Sequence, residues 1–233
     1  MINFLDWDSK FFGLTIGEVK SKTNRISTQF YSNLTSYDLV YIFTKKKLET
    51  IDWFPQFLFS SITVNYSMDV RANFKNEISC ESIWEYTGTD YSKLYPLAIS
   101  AGVFSRFRMD PNFLIENHRK LYCKWIEESN TGIMGDIIFG YFHNSEITGL
   151  VTMSLDFERK QGRIGLLSVD SSKRGKGIGK ALIKKCHDYL LINGMHKLFV
   201  STQEENVAAN KLYRKFGFTK QESTHVTHIW NLV

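Results

Sequence analysis

An α/β fold built on a mixed sheet is predicted by three features of this 233-residue chain. Residues 1–76 alternate short β-rich runs with polar turns, and three consecutive strand-like runs occupy 136–170. From Gly179 the apolar period then changes from that of a strand to that of a helix.

Taken in order, Tyr37–Thr44 and Phe59–Tyr66 are strands, because both are dense in aromatic and β-branched residues. The polar stretch from Ala72 to Glu77 is the expected boundary between a smaller N-terminal domain (1–76) and a larger one (82–233). Tyr91–Phe104 reads as a helix despite Pro96 and Gly102, and Glu116–Ser129 as a second, with Leu121, Tyr122 and Trp125 at helical spacing. Asp136–Phe142, Ile147–Asp156 and Arg163–Asp170 are strands, turned at His143-Asn144 and Gln161-Gly162. In Gly179–Asn193, Ala181, Leu182, Cys186, Tyr189 and Leu190 form one stripe, with Lys180, Lys184, Lys185 and Asp188 off it and Gly194 as the stop. A strand at Lys197–Thr202, a helix at Glu205–Phe216 closed by Gly217, and a final strand pair complete the chain.

Composition narrows the function classes. A hydrophobic fraction of 43% with 23% charged residues and three prolines is that of a folded globule without Pro-rich linkers. The net charge of +5 is unevenly spread: 171–233 hold 11 basic and 4 acidic side chains, whereas 81–170 hold 9 and 12. That distribution suits a small anionic ligand in the last segment and opposes an extended nucleic-acid surface. Cys80, Cys123 and Cys186 are odd in number and scattered, so neither a disulfide framework nor a metal site is expected. His225 and His228, three apart in a strand-like run, point to opposite faces and are expected to be structural or exposed. Asp6 and Asp8 stand where a signal peptide would carry a basic and apolar run, and no stretch approaches the length of a membrane span, so the expected location is cytoplasmic.

The chemistry concentrates at Ser168–Lys180, where a strand meets the amphipathic helix. Gly175, Gly177 and Gly179 permit a tight turn that leaves successive N–H groups uncovered, and Arg174, Lys176 and Lys180 surround it. Amides at a helix start attract phosphate. A P-loop is disfavoured because Ala181 stands where its magnesium-binding hydroxyl belongs. A dinucleotide fingerprint is disfavoured because Lys180 replaces the third glycine.

Arg174-Gly175-Lys176-Gly177-Ile178-Gly179 resembles the R/Q-x-x-G-x-G/A signature of GCN5-related N-acetyltransferases (GNAT). Asn206, Ala208-Ala209, Leu212-Tyr213 and Phe216-Gly217-Phe218 are similar to a second segment of that family, and the resemblance covers about residues 82–233. Shorter pieces resemble the dTDP-fucosamine acetyltransferases: Ser105–Arg108, Leu121-Tyr122 with Trp125–Glu127, Arg163–Leu167, Ser201–Gln203, and the opening Leu5–Asp8 with Phe11–Gly13.

The resemblance implies a GNAT fold and acetyl-CoA as co-substrate, without a metal. Its pyrophosphate would lie on Arg174, Gly175, Lys176, Gly177, Ile178, Gly179 and Lys180. The pantetheine would run along Leu167, Ser168 and Val169, with Asn206 and Ala209 opposite. Tyr213 would protonate the departing thiolate, and it shares one helix face with Asn206, Ala209 and Asn210. Arg106 and Arg108 would pair with the phosphates of a dTDP-amino sugar, the acceptor that the narrower resemblance implies together with surface-polysaccharide synthesis and a homodimer. No base is legible: Asp156, Asp170, Glu204 and His225 are weak alternatives to proton loss through ordered water. Acetylation of a protein amine or another small amine is the alternative within the fold. A nucleotide- or RNA-binding module is the alternative outside it.

Overall fold

The computed structural model describes residues 1–25, 34–49, 58–72 and 79–231. The strands are β1 (Asn3–Phe4), β2 (Ile16–Lys20), β3 (Leu39–Thr44), β4 (Leu58–Asp69), β5 (Ile83–Glu85), β6 (Ile137–His143), β7 (Glu146–Asp156), β8 (Gln161–Val169), β9 (Lys197–Gln203) and β10 (Thr219–Trp230). The helices are α1 (Asp6–Phe12), α2 (Tyr95–Ala101), α3 (Arg106–Met109), α4 (Ile115–Glu127), α5 (Ile178–Ile192) and α6 (Val207–Phe216). The strands form one mixed sheet in the order β1-β2-β3-β10-β4-β9-β8-β7-β6-β5. Among them β2/β3 and β8/β9 pair in parallel, and the other neighbours are antiparallel.

Alternation along the strands buries both faces. Phe139 and Val151 face a core closed by Ala181, Leu182, Cys186 and Leu190 of α5 and by Phe216 of α6. Their neighbours Ile138 and Leu150 face the opposite core, closed by Leu97 of α2, Leu121 and Ile126 of α4, and Trp7 and Phe11 of α1. Gly102 ends α2 against α4 so closely that a Cβ there would lie 2.2 Å from the Tyr122 ring.

The predicted α/β class and most elements match this architecture, with local differences. The 91–104 helix is a 3-10 turn (Tyr91–Lys93) followed by α2, whose first turn accepts Pro96 because those N–H groups need no helical partner. The hairpin after β6 turns on Asn144-Ser145, both with positive φ, which suits the twist of the flanking strands. The hairpin before β8 turns before Gln161, with Lys160 left-handed, so Gln161-Gly162 already belongs to the strand. The expected final strand pair is one strand, β10, whose pairing to β4 shifts between Lys220 and Ser223; polar Gln221-Glu222 suggests a break where the chain only bulges.

Residues 73–77 of the expected boundary lie outside the described residues. Strands on its two sides share the sheet: β4 sits between β10 and β9, and β3 pairs with β10. The ranges 1–76 and 82–233 are therefore interleaved through the sheet.

Candidate acyl-transfer site

The site forms where two parallel strands part. β8 and β9 are in register from Gln161↔Lys197 to Ile164↔Val200, and the pairing ends there although both strands continue. The far half of β8 keeps only its β7 partner, and that pairing shifts between Val151 and Met153. Thr152 Oγ1 accepts the Leu166 N–H at 2.9 Å, and the Asp170 N–H reaches the Thr148 carbonyl at 2.8 Å. Because strand N–H groups alternate sides, those of Leu167 and Val169 point away from β7 into the opening. Two unpaired donors on a rigid strand can polarise a carbonyl.

The glycine turn closes one end of this opening. Gly175 and Gly177 have φ of +79° and +83°, and neither is crowded where a Cβ would stand. Gly177 is the N-cap of α5 and supplies no side-chain cap, and the first turn carries no acidic residue. The first N–H groups of this 15-residue helix are thus free to take an anion. Gly179 serves packing: a Cβ there would sit 3.2 Å from Leu212 Cδ2 of α6. Arg174 is partly spent within the fold, donating to the Val169 carbonyl (3.1 Å) and to Ser100 Oγ (3.2 Å).

Across the opening stands α6. Asn206 caps it, Oδ1 accepting from the Ala209 N–H at 3.2 Å, while Nδ2 donates to Thr202 Oγ1 at 3.1 Å. Asn206 thus spends these side-chain groups within its own chain while lining the cavity. Asn210, on the same helix face, is structural: it donates to the Gln203, Glu204 and Asn206 carbonyls and accepts from the Tyr66 hydroxyl at 2.8 Å. Tyr213 is buried between Tyr66 and Phe218 and lines the cavity. Burial pushes its hydroxyl pKa far up, so it stays protonated and can donate at neutral pH.

A cavity of about 940 Å³ joins these parts to the β3/β10 side of the sheet. Leu167, Ser168, Val169, Arg174, Gly175, Gly177, Ile178, Gly179, Lys180, Asn206, Ala209 and Tyr213 line it, as does Arg106. Lys176 and Arg108 do not line it; both are exposed, Lys176 on the turn and Arg108 on α3. Asp156, Asp170, Glu204 and His225 are also outside the lining. Asp170 is held by the Ser172 N–H and hydroxyl, and Asp156 by Arg159, and these bonds keep both carboxyls low.

The polar residues around Arg106 were not legible as a group. Its guanidinium carbon lies 4.0 Å from the Tyr41 ring centroid and 4.5 Å from that of Phe107. Its Nη1 lies 3.4 Å from His228 Nε2, and His228 Nδ1 lies 2.6 Å from Asp110 Oδ2, which also accepts from Trp230 Nε1 at 2.8 Å. Burial lowers the His228 pKa to about 4 against the raising effect of Asp110. Burial opposes ionisation of Asp110, but bonds from His228, the Asn112 N–H and Trp230 prevail and hold its carboxyl low. The pair is therefore neutral imidazole and carboxylate, with Nδ1–H donating to Asp110 and Nε2 left to accept from Arg106. Asp8 of α1 lines the same end of the cavity, its carboxyl raised by burial against the lowering effect of Arg106. No sequence pattern links residues from α1, β3, α3 and β10; only the sheet order brings them together.

Among the described residues, no group of three or more His, Cys, Asp or Glu is placed to hold a metal ion, and no helix is long and apolar enough to cross a membrane.

Residues 103–218 match the acetyltransferase (GNAT) family profile. The N-acetylaspartate synthetase of Xenopus tropicalis is 34% identical over 73 residues, 31% of this chain and 27% of that protein. The N-alpha-acetyltransferase 30 of Xenopus laevis is 34% identical over 80 residues, 33% of this chain and 29% of that protein. The chain thus spans under a third of the length of these relatives. A conserved protein of unknown function from Staphylococcus epidermidis superposes with a TM-score of 0.61 at 12% identity, over 93% of this chain and 84% of that one. A GCN5-related N-acetyltransferase from Sphaerobacter thermophilus superposes with a TM-score of 0.52 at 13% identity, over 88% and 65%. With its parted β8 and β9, its glycine turn and the match over 103–218, the chain carries an acetyltransferase domain of the GNAT family on the GNAT fold.

Proposed function

We propose that the protein is an acetyl-CoA-dependent N-acetyltransferase acting on the amine of a small, nucleotide-linked amino sugar. One observation carries the reading: a single cavity connects an uncapped, glycine-lined helix start to two free strand N–H groups, a buried protonated tyrosine and a guanidinium. The first suits the pyrophosphate of CoA, and its fit rests on the positive φ of Gly175 and Gly177 and on the open space beside them.

The amine nitrogen attacks the thioester carbon, forming the C–N bond. The carbonyl oxygen takes up the negative charge, which the Leu167 and Val169 N–H groups stabilise. As the C–S bond breaks, the sulfur takes the Tyr213 proton; the proton lost by the amine leaves through water to solvent, and Tyr213 regains a proton from solvent as the products leave. Arg106 supports the choice of a phosphate-bearing acceptor, since a guanidinium fork matches phosphate oxygens. The sequence resemblance to dTDP-fucosamine acetyltransferases supports the sugar. The N-terminal amine of a protein is the second reading, favoured by the similarity to N-alpha-acetyltransferase 30.

Thiol release from acetyl-CoA, followed with dTDP-amino sugars and with short peptides, separates them. The proposal expects release with the sugars alone. Release with peptides alone supports the second reading, and no release with any amine sinks both.

A further inference from the structure

Two opposite charges face the cavity on its β3/β10 side. Asp8 makes no ion pair among the described residues, and neither does Arg106, although each feels the other's charge. Of the five N–H donors of Arg106, one is directed to His228; its flat face rests on Tyr41 and Phe107, and the other donors have no hydrogen-bond partner among the described residues. The Tyr41 hydroxyl, fully buried, acts on the Asp8 carboxyl as a hydrogen-bond neighbour without reaching good hydrogen-bond geometry, and leaves the charge of Asp8 uncompensated. Partly desolvated charges that do not pair with each other are costly unless a ligand meets them.

From this juxtaposition we infer that the acceptor is recognised at two points: Asp8 receives its amine as an ammonium, which gives one proton to water before the neutral amine attacks, and Arg106 receives an anionic group of the same molecule. His228, Asp110 and Trp230 are positioning residues that aim the guanidinium. The inference rests on the acetyltransferase reading and narrows its substrate class to amines that also carry a carboxylate or a phosphate. The aim comes from the relay: Asp110 accepts from His228 and Trp230, so the imidazole has one lone pair left, and it is turned to Arg106. A phosphate and a carboxylate would be met by the same fork.

Two matched ligand sets distinguish those sources, titrated into the full chain with saturating CoA. One set is a dTDP-4-amino-4,6-dideoxyhexose, the dTDP-6-deoxyhexose without the amine, and the aminodeoxyhexose without the nucleotide. The other is phenylalanine, 3-phenylpropionate and phenethylamine. In one set the doubly functional ligand is expected to bind at least about tenfold more tightly than either partner. Arg106→Gln should abolish its advantage over the amine-only compound, and Asp8→Asn its advantage over the anion-only compound. His228→Gln retains an acceptor for Arg106 and should keep the anion preference, whereas His228→Phe should lose it with CoA affinity unchanged. Equal ranking within both sets, or no binding in either, overturns the inference on the wild-type protein alone, whatever the variants do. Failure of CoA itself to bind would instead overturn the acetyltransferase reading.

Discussion

At the scale of single residues, Tyr213 is the group whose chemistry is most sharply defined. It is buried and protonated, and it lines the cavity. Tyr213→Phe keeps the ring packing against Tyr66 and removes only the proton donor. Turnover is expected to fall about 10²- to 10⁴-fold with the KM for acetyl-CoA little changed, read by thiol release. His228 makes a separate prediction about stability. Its folded pKa of about 4 lies below the ordinary 6.5, so the unfolded chain binds the extra proton first as pH falls. Its contribution is complete above pH 6.5 and is lost as the pH drops toward 4. Melting temperature should therefore decline between pH 6.5 and 4, and His228→Gln should flatten that slope; an unchanged slope would contradict the neutral buried imidazole. Such residues explain the limits of reading the chain alone. Tyr213 was legible because Asn206, Leu212 and Gly217 surround it in a spaced motif. Asp8 and His228 were not, because the charges they face, Arg106 and Asp110, are remote in the sequence and meet them only through the fold.

At the scale of elements, the β8–turn–α5 unit is where local sequence and function coincide. The turn was legible because glycine has a steric meaning that needs no tertiary context. The parting of β8 from β9 was not, because pairing register is set across the sheet and leaves no mark in either strand's pattern. The two hairpin turns were misplaced, and the single bulged strand β10 was read as a strand pair, for the same reason. Gly177→Ala imposes the left-handed conformation on a residue with a Cβ, at a cost of about 1 kcal/mol. Relaxation of that strain would move the first N–H groups of α5. A higher KM for acetyl-CoA is expected with kcat held within about twofold, since the turn is the proposed seat of the cofactor's phosphates and not of the reacting atoms. Steady-state kinetics at varied acetyl-CoA would check this; a loss confined to kcat would place the turn elsewhere in the mechanism.

For the whole molecule, the sheet order decides what the N-terminal residues are for. β4 lies between β10 and β9, and removing it would expose the backbone edges of both. A chain starting at residue 77 should therefore fail to give a cooperative melt, although it retains the whole matched segment 103–218. Circular dichroism of that truncation checks the point, and a native-like melt would contradict the interleaving. Charge also acts at this scale. Lys173, Arg174 and Lys180, from the basic segment 171–233, line the cavity's glycine end, while acidic side chains prevail in 81–170. That asymmetry favours a small polyanion over a long one. The glycine end is expected to hold the phosphates of acetyl-CoA, which calorimetric titration can establish. Acetyl-CoA should bind at one site per chain, and S-acetylpantetheine, which has the same thioester without the nucleotide phosphates, should bind at least about tenfold more weakly. Equal affinity for the two, or no saturable binding of acetyl-CoA, would contradict it.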